Sequence, residues 1–182
     1  MTRRAAALAL ALAGALTACG GGEADTAASS SVAPSASPLG CPTTAVEVEP
    51  PPGASTDLST KPVIAPATAP PPTELQYADI VVGDGEEAVT DSDVELKYVG
   101  AFYETGEEFD SSWSRGPDET LPFTICRPQV ITGFSVGPTG MKVGGRRQIT
   151  IPSKFGYKEA GQPPKIPPNA TLVFVVDLVK VG

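Results

Sequence analysis

The chain has 182 residues, no histidine, three cysteines and a formal net charge of −8. That length suits one ordinary domain with something added. The missing histidine excludes Ser-His-Asp and Cys-His catalysis, imidazole bases and His-ligated metals, and the acidic balance excludes a general nucleic-acid binder.

The first segment reads as an address. Arg3-Arg4 precedes an apolar run of small residues and leucines from Ala5 to Ala18. The run is too short to span a bilayer as a helix and has the form of a secretory signal. Its end, Leu16-Thr17-Ala18-Cys19, resembles the bacterial lipoprotein box. The resemblance implies that residues 1–18 are a lipoprotein signal peptide and that Cys19 carries a diacylglycerol. The protein would then be held at the outer face of the bacterial cell membrane by the lipid on Cys19.

Residues 19–56 read as a disordered Gly/Ser/Pro-rich tether. Residues 32–73 hold 11 of the 20 prolines, and every Phe, Tyr and Trp lies at or after Tyr77. A packed core is therefore expected only in a C-terminal domain, 57–182, centred on 75–182. Cys41 and Cys126 would both remain after export. In an oxidising compartment they either pair, stapling tether to domain, or stay as two free thiols.

Charge is also divided. Residues 74–119 carry 14 acidic and 2 basic side chains, and residues 120–182 carry 2 acidic and 8 basic. We read this as complementary surfaces meeting in one fold, in preference to a polarised surface that steers a partner.

Within the domain, Lys61-Pro62-Val63-Ile64 suggests an outlying edge segment. Leu75 to Val82 is strand-like and ends at the turn signal Gly83-Asp84-Gly85. Val94 to Val99 alternates apolar and charged residues, the period of a half-buried strand, and Ala101-Phe102-Tyr103 continues it toward Thr105-Gly106. Phe109 to Trp113 follows, and Leu121 to Cys126 reads as a short strand. Val130 to Val136 reads as a short helix weakened by Gly133. Arg146 to Pro152 alternates again, and Thr171 to Leu178 is the strongest β run. This pattern predicts an α+β fold: an antiparallel sheet of four to six strands with one short helix packed on it.

Several strings together carry a resemblance. Leu96-Lys97-Tyr98-Val99-Gly100 and Gly106-Glu107-Glu108-Phe109-Asp110-Ser111-Ser112 resemble the first block of FKBP-type peptidyl-prolyl isomerases. Val130-Ile131-Thr132-Gly133-Phe134, Gly140 to Arg147, Ile149 to Pro152, Phe155-Gly156-Tyr157, Ile166 to Phe174 and Val176-Asp177-Leu178 follow in the family's order. The match runs from about Leu75 to Val181.

The resemblance implies a curved sheet wrapped around the helix, with an apolar cleft between them. It implies catalytic roles for Tyr98, Phe109, Asp110, Tyr157 and Phe174, with Arg115 as ion-pair partner of Asp110. It places Phe123, Val130, Ile131, Phe134 and Ile166 in the substrate-binding walls. Donors expected to hold substrate carbonyls are the Tyr157 hydroxyl and the Ile166 N–H. The implied substrates are proline-containing exported or envelope polypeptides whose folding the protein would assist. No cofactor and no nucleic-acid partner are implied. Phe134 stands where the family commonly has tryptophan, Ile125 where an aromatic wall residue is usual, and Lys165 where an apolar residue is common. The segment from Phe123 to Val130 is two residues short. These departures imply at most weak binding of FK506-type macrolides. A second reading is a proline-peptide-binding chaperone module with little catalysis.

Overall fold

The computed structural model describes Cys41 and residues 43–182. The segment expected to be a signal peptide, the expected lipidation site Cys19 and the first part of the expected tether lie outside the described residues. Among the described residues seven strands form one sheet: β1 (Val46–Glu47), β2 (Gln76–Val81), β3 (Asp93–Phe102), β4 (Glu108–Ser111), β5 (Leu121–Thr124), β6 (Arg146–Ile151) and β7 (Leu172–Val181). One helix, α1 (Thr132–Val136), and 3₁₀ turns at Ser112–Ser114 and Ser153–Phe155 complete the elements. The order across the sheet is β1-β2-β6-β7-β3-β4, with β5 on the β4 side of β3. Only β1 runs parallel to its neighbour, so the sheet is mixed.

The ten-residue strands β3 and β7 pair along their length, from Val94↔Val181 to Phe102↔Leu172. The other edge of β3 is shared: β5 takes Asp93–Leu96 and β4 takes Val99–Ala101. The connection from β4 to β5 is thereby held beside the middle of β3, at Tyr98. Side chains alternate across each strand. On β7, Leu172, Phe174, Val176 and Leu178 enter the main core with Leu96, Tyr98, Phe134, Ile149 and Ile151. Val173 and Val175 enter a second cluster with Ile64, Val99 and Ala101. Both faces of β7 are therefore buried from Leu172 to Leu178, which explains why its sequence is apolar without a break from Leu172 to Val176 where β3 alternates.

Helix α1 is shorter than the span 130–136 suggests. Ile131 is extended (φ −57°, ψ 146°) and leads into the helix without a side-chain cap. Gly133 lowers helix propensity but is required by packing, because a Cβ there would lie 2.5 Å from Ile151 Cγ2. The helix thus rests directly on β6. Arg147 holds its far end, donating from Nη1 to the Gly137 and Thr139 carbonyls at 2.9 Å each. These are carbonyls that a helix terminus leaves without internal partners.

The domain boundary at residue 57 needs correction, since ordered chain extends back to Thr43. Residues 43–74 form a strap in which Val46 and Val48 donate to the Leu75 and Tyr77 carbonyls at 2.8 Å and so make β1. The strap docks mainly through backbone N–H and C=O groups, which leave no hydrophobic period in the sequence. Arg146, 0% exposed, donates to Asp177 from Nε at 2.6 Å and from Nη2 at 2.7 Å. It also donates to the carbonyls of Ser55, Asp57 and Thr60 at 3.0–3.1 Å. All five guanidinium N–H groups are used. Lys61 to Ile64 is not a strand: Val63 is 90% exposed, while Ile64 turns into the second cluster.

The two cysteines pair. The Cys41–Cys126 disulfide joins the strap's start to the loop between β5 and α1, with Cα atoms 5.0 Å apart, within the normal range. It closes a loop of 85 residues' separation. Reducing it should lower unfolding free energy by about 2–4 kcal/mol. Urea midpoints measured with and without reductant check this, and coincident midpoints would contradict it.

The charge division resolves as complementary surfaces. Basic side chains from the second half pair with acidic ones from the first: Arg147 with Asp79, Arg127 with Asp91 and Lys180 with Glu95, at 2.7–3.1 Å. The sheet order interleaves β6 and β7 with β2 and β3, which brings the two halves together.

Candidate functional site

An aromatic cluster lies between α1 and the sheet. Phe134, the only aromatic side chain of α1, sits at its centre. Its ring centroid is 4.9 Å from Phe174, 5.5 Å from Phe123 and 5.7 Å from Tyr98. Phe109 on β4 meets Phe174 edge-on at 5.5 Å and Phe102 at 5.2 Å. Edge-to-face and tilted pairs at these distances are the favoured aromatic geometries. Tyr98, Phe123, Phe134 and Phe174 are buried, whereas Phe109 is only partly buried, so the cluster has a closed floor and an open end.

Two contributors escaped the sequence reading. Phe102 belongs to the aromatic row through its contact with Phe109. Gly100, two residues before it on the same face of β3, makes the row possible: a Cβ there would lie 2.7 Å from Phe174 and 2.9 Å from Phe109. The period-two spacing Tyr98, Gly100, Phe102 carried this signal.

The open end is about 340 Å³ in volume and is lined by Phe109, Asp110, Tyr157, Gln162, Pro163, Lys165 and Ile166. A larger groove of about 440 Å³ runs along β5, lined by backbone and side chains that include Glu95 and Lys180. Glu95 is already held there by Lys180 and Thr120, and Phe123 is the only aromatic residue in the lining. The aromatic cleft is therefore the better candidate site.

Its polar corner is built on Tyr98 and Asp110. The Tyr98 hydroxyl donates to Asp110 Oδ2 at 2.7 Å and accepts from Arg115 Nη2 at 3.1 Å. Asp110 Oδ1 accepts from the Ser111 N–H at 3.0 Å and lies 3.4 Å from Arg115 Nη1. Arg115 is thus the partner expected for Asp110, and it binds Tyr98 as well. The two serines after Asp110 clamp the strand: Ser112 Oγ accepts from the Tyr98 N–H at 3.0 Å, and Ser111 Oγ donates to the Tyr98 carbonyl at 3.2 Å. Burial, followed by the hydrogen bond to Asp110, raises the Tyr98 phenol above its ordinary pKa. Burial, and then the Asp110 charge, raises Tyr157 likewise.

The β6–β7 connection forms the other wall. Gln162 and Ile166 exchange backbone hydrogen bonds of 2.8 and 2.9 Å, fixing Ile166 over the cluster. This corrects one expectation: the Ile166 N–H donates to the Gln162 carbonyl and is not available to a substrate. Its side chain, 2% exposed, is also part of the main core. Among the described residues nothing accepts from the Tyr157 hydroxyl or from the Ile131 N–H. Ile131 and Val130 are partly buried against the main core at the start of α1. Ile131 therefore offers the backbone donor that Ile166 does not; a free N–H leaves no mark in a sequence. Ile125, where an aromatic residue was expected by resemblance, is fully buried core.

The arrangement supplies an aromatic floor under a mixed polar and apolar mouth, one charge-balanced polar corner and two free donors. It can hold a small ring and polarise or orient flanking carbonyls. Residues 84–179 match the family model for FKBP-type peptidyl-prolyl cis-trans isomerases. A probable FK506-binding protein of Corynebacterium glutamicum is 45% identical over 119 residues, covering 65% of this chain and 97% of that protein. An FK506-binding protein of Streptomyces anulatus is 47% identical over 112 residues, 61% of this chain and 89% of its own. The crystal structure of AtFKBP13 superposes with a TM-score of 0.54 at 32% identity, over 62% of this chain and 96% of that one. The crystal structure of FkpA from Escherichia coli gives 0.53 at 35% identity, over 65% and 51%.

Proposed function

The chain belongs to the FKBP-type peptidyl-prolyl cis-trans isomerases, and from that premise we propose that it turns X–Pro bonds of exported polypeptides in the aromatic cleft. The observation that carries the site assignment is the meeting of Tyr98, Phe109, Phe134 and Phe174 beneath an open mouth. A peptide bond resists rotation by about 18–20 kcal/mol because resonance makes it partly double. For X–Pro the uncatalysed change takes tens to hundreds of seconds. The twisted transition state has lost resonance and its charge separation. A dry aromatic pocket favours that less polar form over a planar, hydrated amide. The rings fit the proline side chain, and the Tyr157 hydroxyl and Ile131 N–H are placed to hold carbonyls on either side of the turning bond. No bond is broken, so neither a nucleophile nor a base is needed.

The same reading sets a pH dependence. The chain has no histidine, and burial raises both cleft phenols. A raised phenol keeps its proton to higher pH, so the hydroxyl donors survive beyond the ordinary tyrosine value of about 10. Catalytic efficiency should stay flat from pH 6 to 9; a bell-shaped profile in that range would contradict this.

The export part rests on Leu16-Thr17-Ala18-Cys19 and on the Cys41–Cys126 disulfide, a bond suited to oxidising compartments. The lipid on Cys19 would anchor the protein outside the cytoplasm, with exported chains as substrates. Two acyl signals or more make such anchoring stable. Cys19→Ala should move the protein from membrane pellet to soluble fraction. Catalysis of a proline-limited refolding reaction, scored in the same preparation, tests the folding role; refolding no faster than in buffer would contradict it. The relatives are named for binding FK506. The smaller Phe134 ring on the floor supports at most weak binding of that macrolide class here.

A further inference from the structure

Resting on the isomerase reading, we infer that Lys165, with Arg115, gives this cleft a preference for X–Pro bonds preceded by an acidic side chain. Three charged groups meet at the mouth: Asp110, Arg115 and Lys165. The carboxylate is already engaged. Its Oδ2 accepts from Tyr98, and its Oδ1 accepts from the Ser111 N–H and from Arg115 at 3.4 Å. Lys165 Nζ stands 3.9 Å from the same Oδ1, too far for a hydrogen bond, and its side chain is 56% exposed. One carboxylate thus faces two cations, an excess of one positive charge among these three groups.

The β6–β7 side adds to it. The β6–β7 connection, residues 152–171, carries Lys154, Lys158 and Lys165 against Glu159, a net charge of +2. On the β4 side Glu108 is paired with Lys61 at 2.8 Å and Glu119 acts on the Arg115 charge, so the attraction rests chiefly on Lys165. A proline ring seated on Phe134 and Phe174 meets a closed floor, since both rings are at most 5% exposed. The residue preceding proline must leave through the mouth. An Asp or Glu there reaches Lys165, while a Lys or Arg there meets only a carboxylate already bound to other donors.

Exposed pairs of this kind are individually weak. Summing attraction for Glu with repulsion for Lys, the expected preference is about fivefold at low ionic strength, shrinking as salt screens it. The test measures kcat/KM on otherwise identical Glu-Pro, Leu-Pro and Lys-Pro peptides at 20 mM and 500 mM salt as the chosen assay conditions. The wild type should favour Glu-Pro over Lys-Pro, and Lys165→Glu should reverse the order. Lys142→Glu, the same charge change away from the cleft, should keep the wild-type ratio. Equal efficiency on Glu-Pro and Lys-Pro, with Leu-Pro turned over, would overturn the inference and leave the isomerase reading standing. A ratio shifted equally by both variants would also overturn it, assigning the effect to overall charge. No turnover of any peptide would overturn the isomerase reading and this inference with it.

Discussion

Phe109→Ala should lower kcat/KM on a Leu-Pro peptide by roughly 10- to 100-fold while leaving the protein folded. Phe109 is partly buried at the open end of the cleft, 5.5 Å from Phe174 and 5.2 Å from Phe102. Its free face is what a proline ring would cover. Burying an apolar side chain contributes about 1.5–3 kcal/mol, and each 1.4 kcal/mol is tenfold. The same truncation at Phe134 would be less informative. That ring touches Tyr98, Phe123 and Phe174 and is 3% exposed, so its loss would cost about 3–5 kcal/mol of stability. A Phe109→Ala protein with wild-type efficiency would remove this ring from the site.

A stability effect as large as that of Phe134 is expected outside the cleft. Arg146→Met should destabilise the fold by about 3–5 kcal/mol, because it leaves Asp177 buried with no counter-charge. Natural domains have only about 5–15 kcal/mol in all. The strap should loosen at the same time, since the Ser55, Asp57 and Thr60 carbonyls lose their shared donor. Urea denaturation gives the energy, and limited proteolysis between residues 50 and 62 reports the strap. Asp177→Leu in the Arg146→Met background should recover part of the loss, as neither charge is then buried. A single-variant loss below about 1 kcal/mol would show that the pair contributes little.

The parts legible in sequence and those that were not differ by physical kind. Alternation along Val94 to Val99 and the β-branched run to Leu178 announced β3 and β7, because side-chain period records which face is buried. The strings around Tyr98, Phe109-Asp110 and Phe134 announced the cleft, and the structure brings those side chains together. The strap from Thr43 was hidden because backbone groups hold it, and a proline-rich stretch has the same composition whether docked or loose. Arg146 and Arg147 look alike in the chain, yet they point to opposite faces. One fastens the strap and the other fastens α1. Gly133 counted against the helix by propensity, although close packing on Ile151 is what demands it. Gly100 and the Ile131 N–H contribute an absent side chain and a backbone group, and neither has a chemistry that a residue name displays.

The central claim is that this aromatic cleft turns X–Pro bonds. The most direct measurement is NMR exchange between cis and trans signals of a Leu-Pro peptide, with the protein present at a small fraction of the peptide concentration. The account predicts exchange far faster than the uncatalysed tens to hundreds of seconds, proportional to protein concentration and reduced at least tenfold by Phe109→Ala. Exchange at the uncatalysed rate with peptide bound would contradict it and make the cleft a binding site alone.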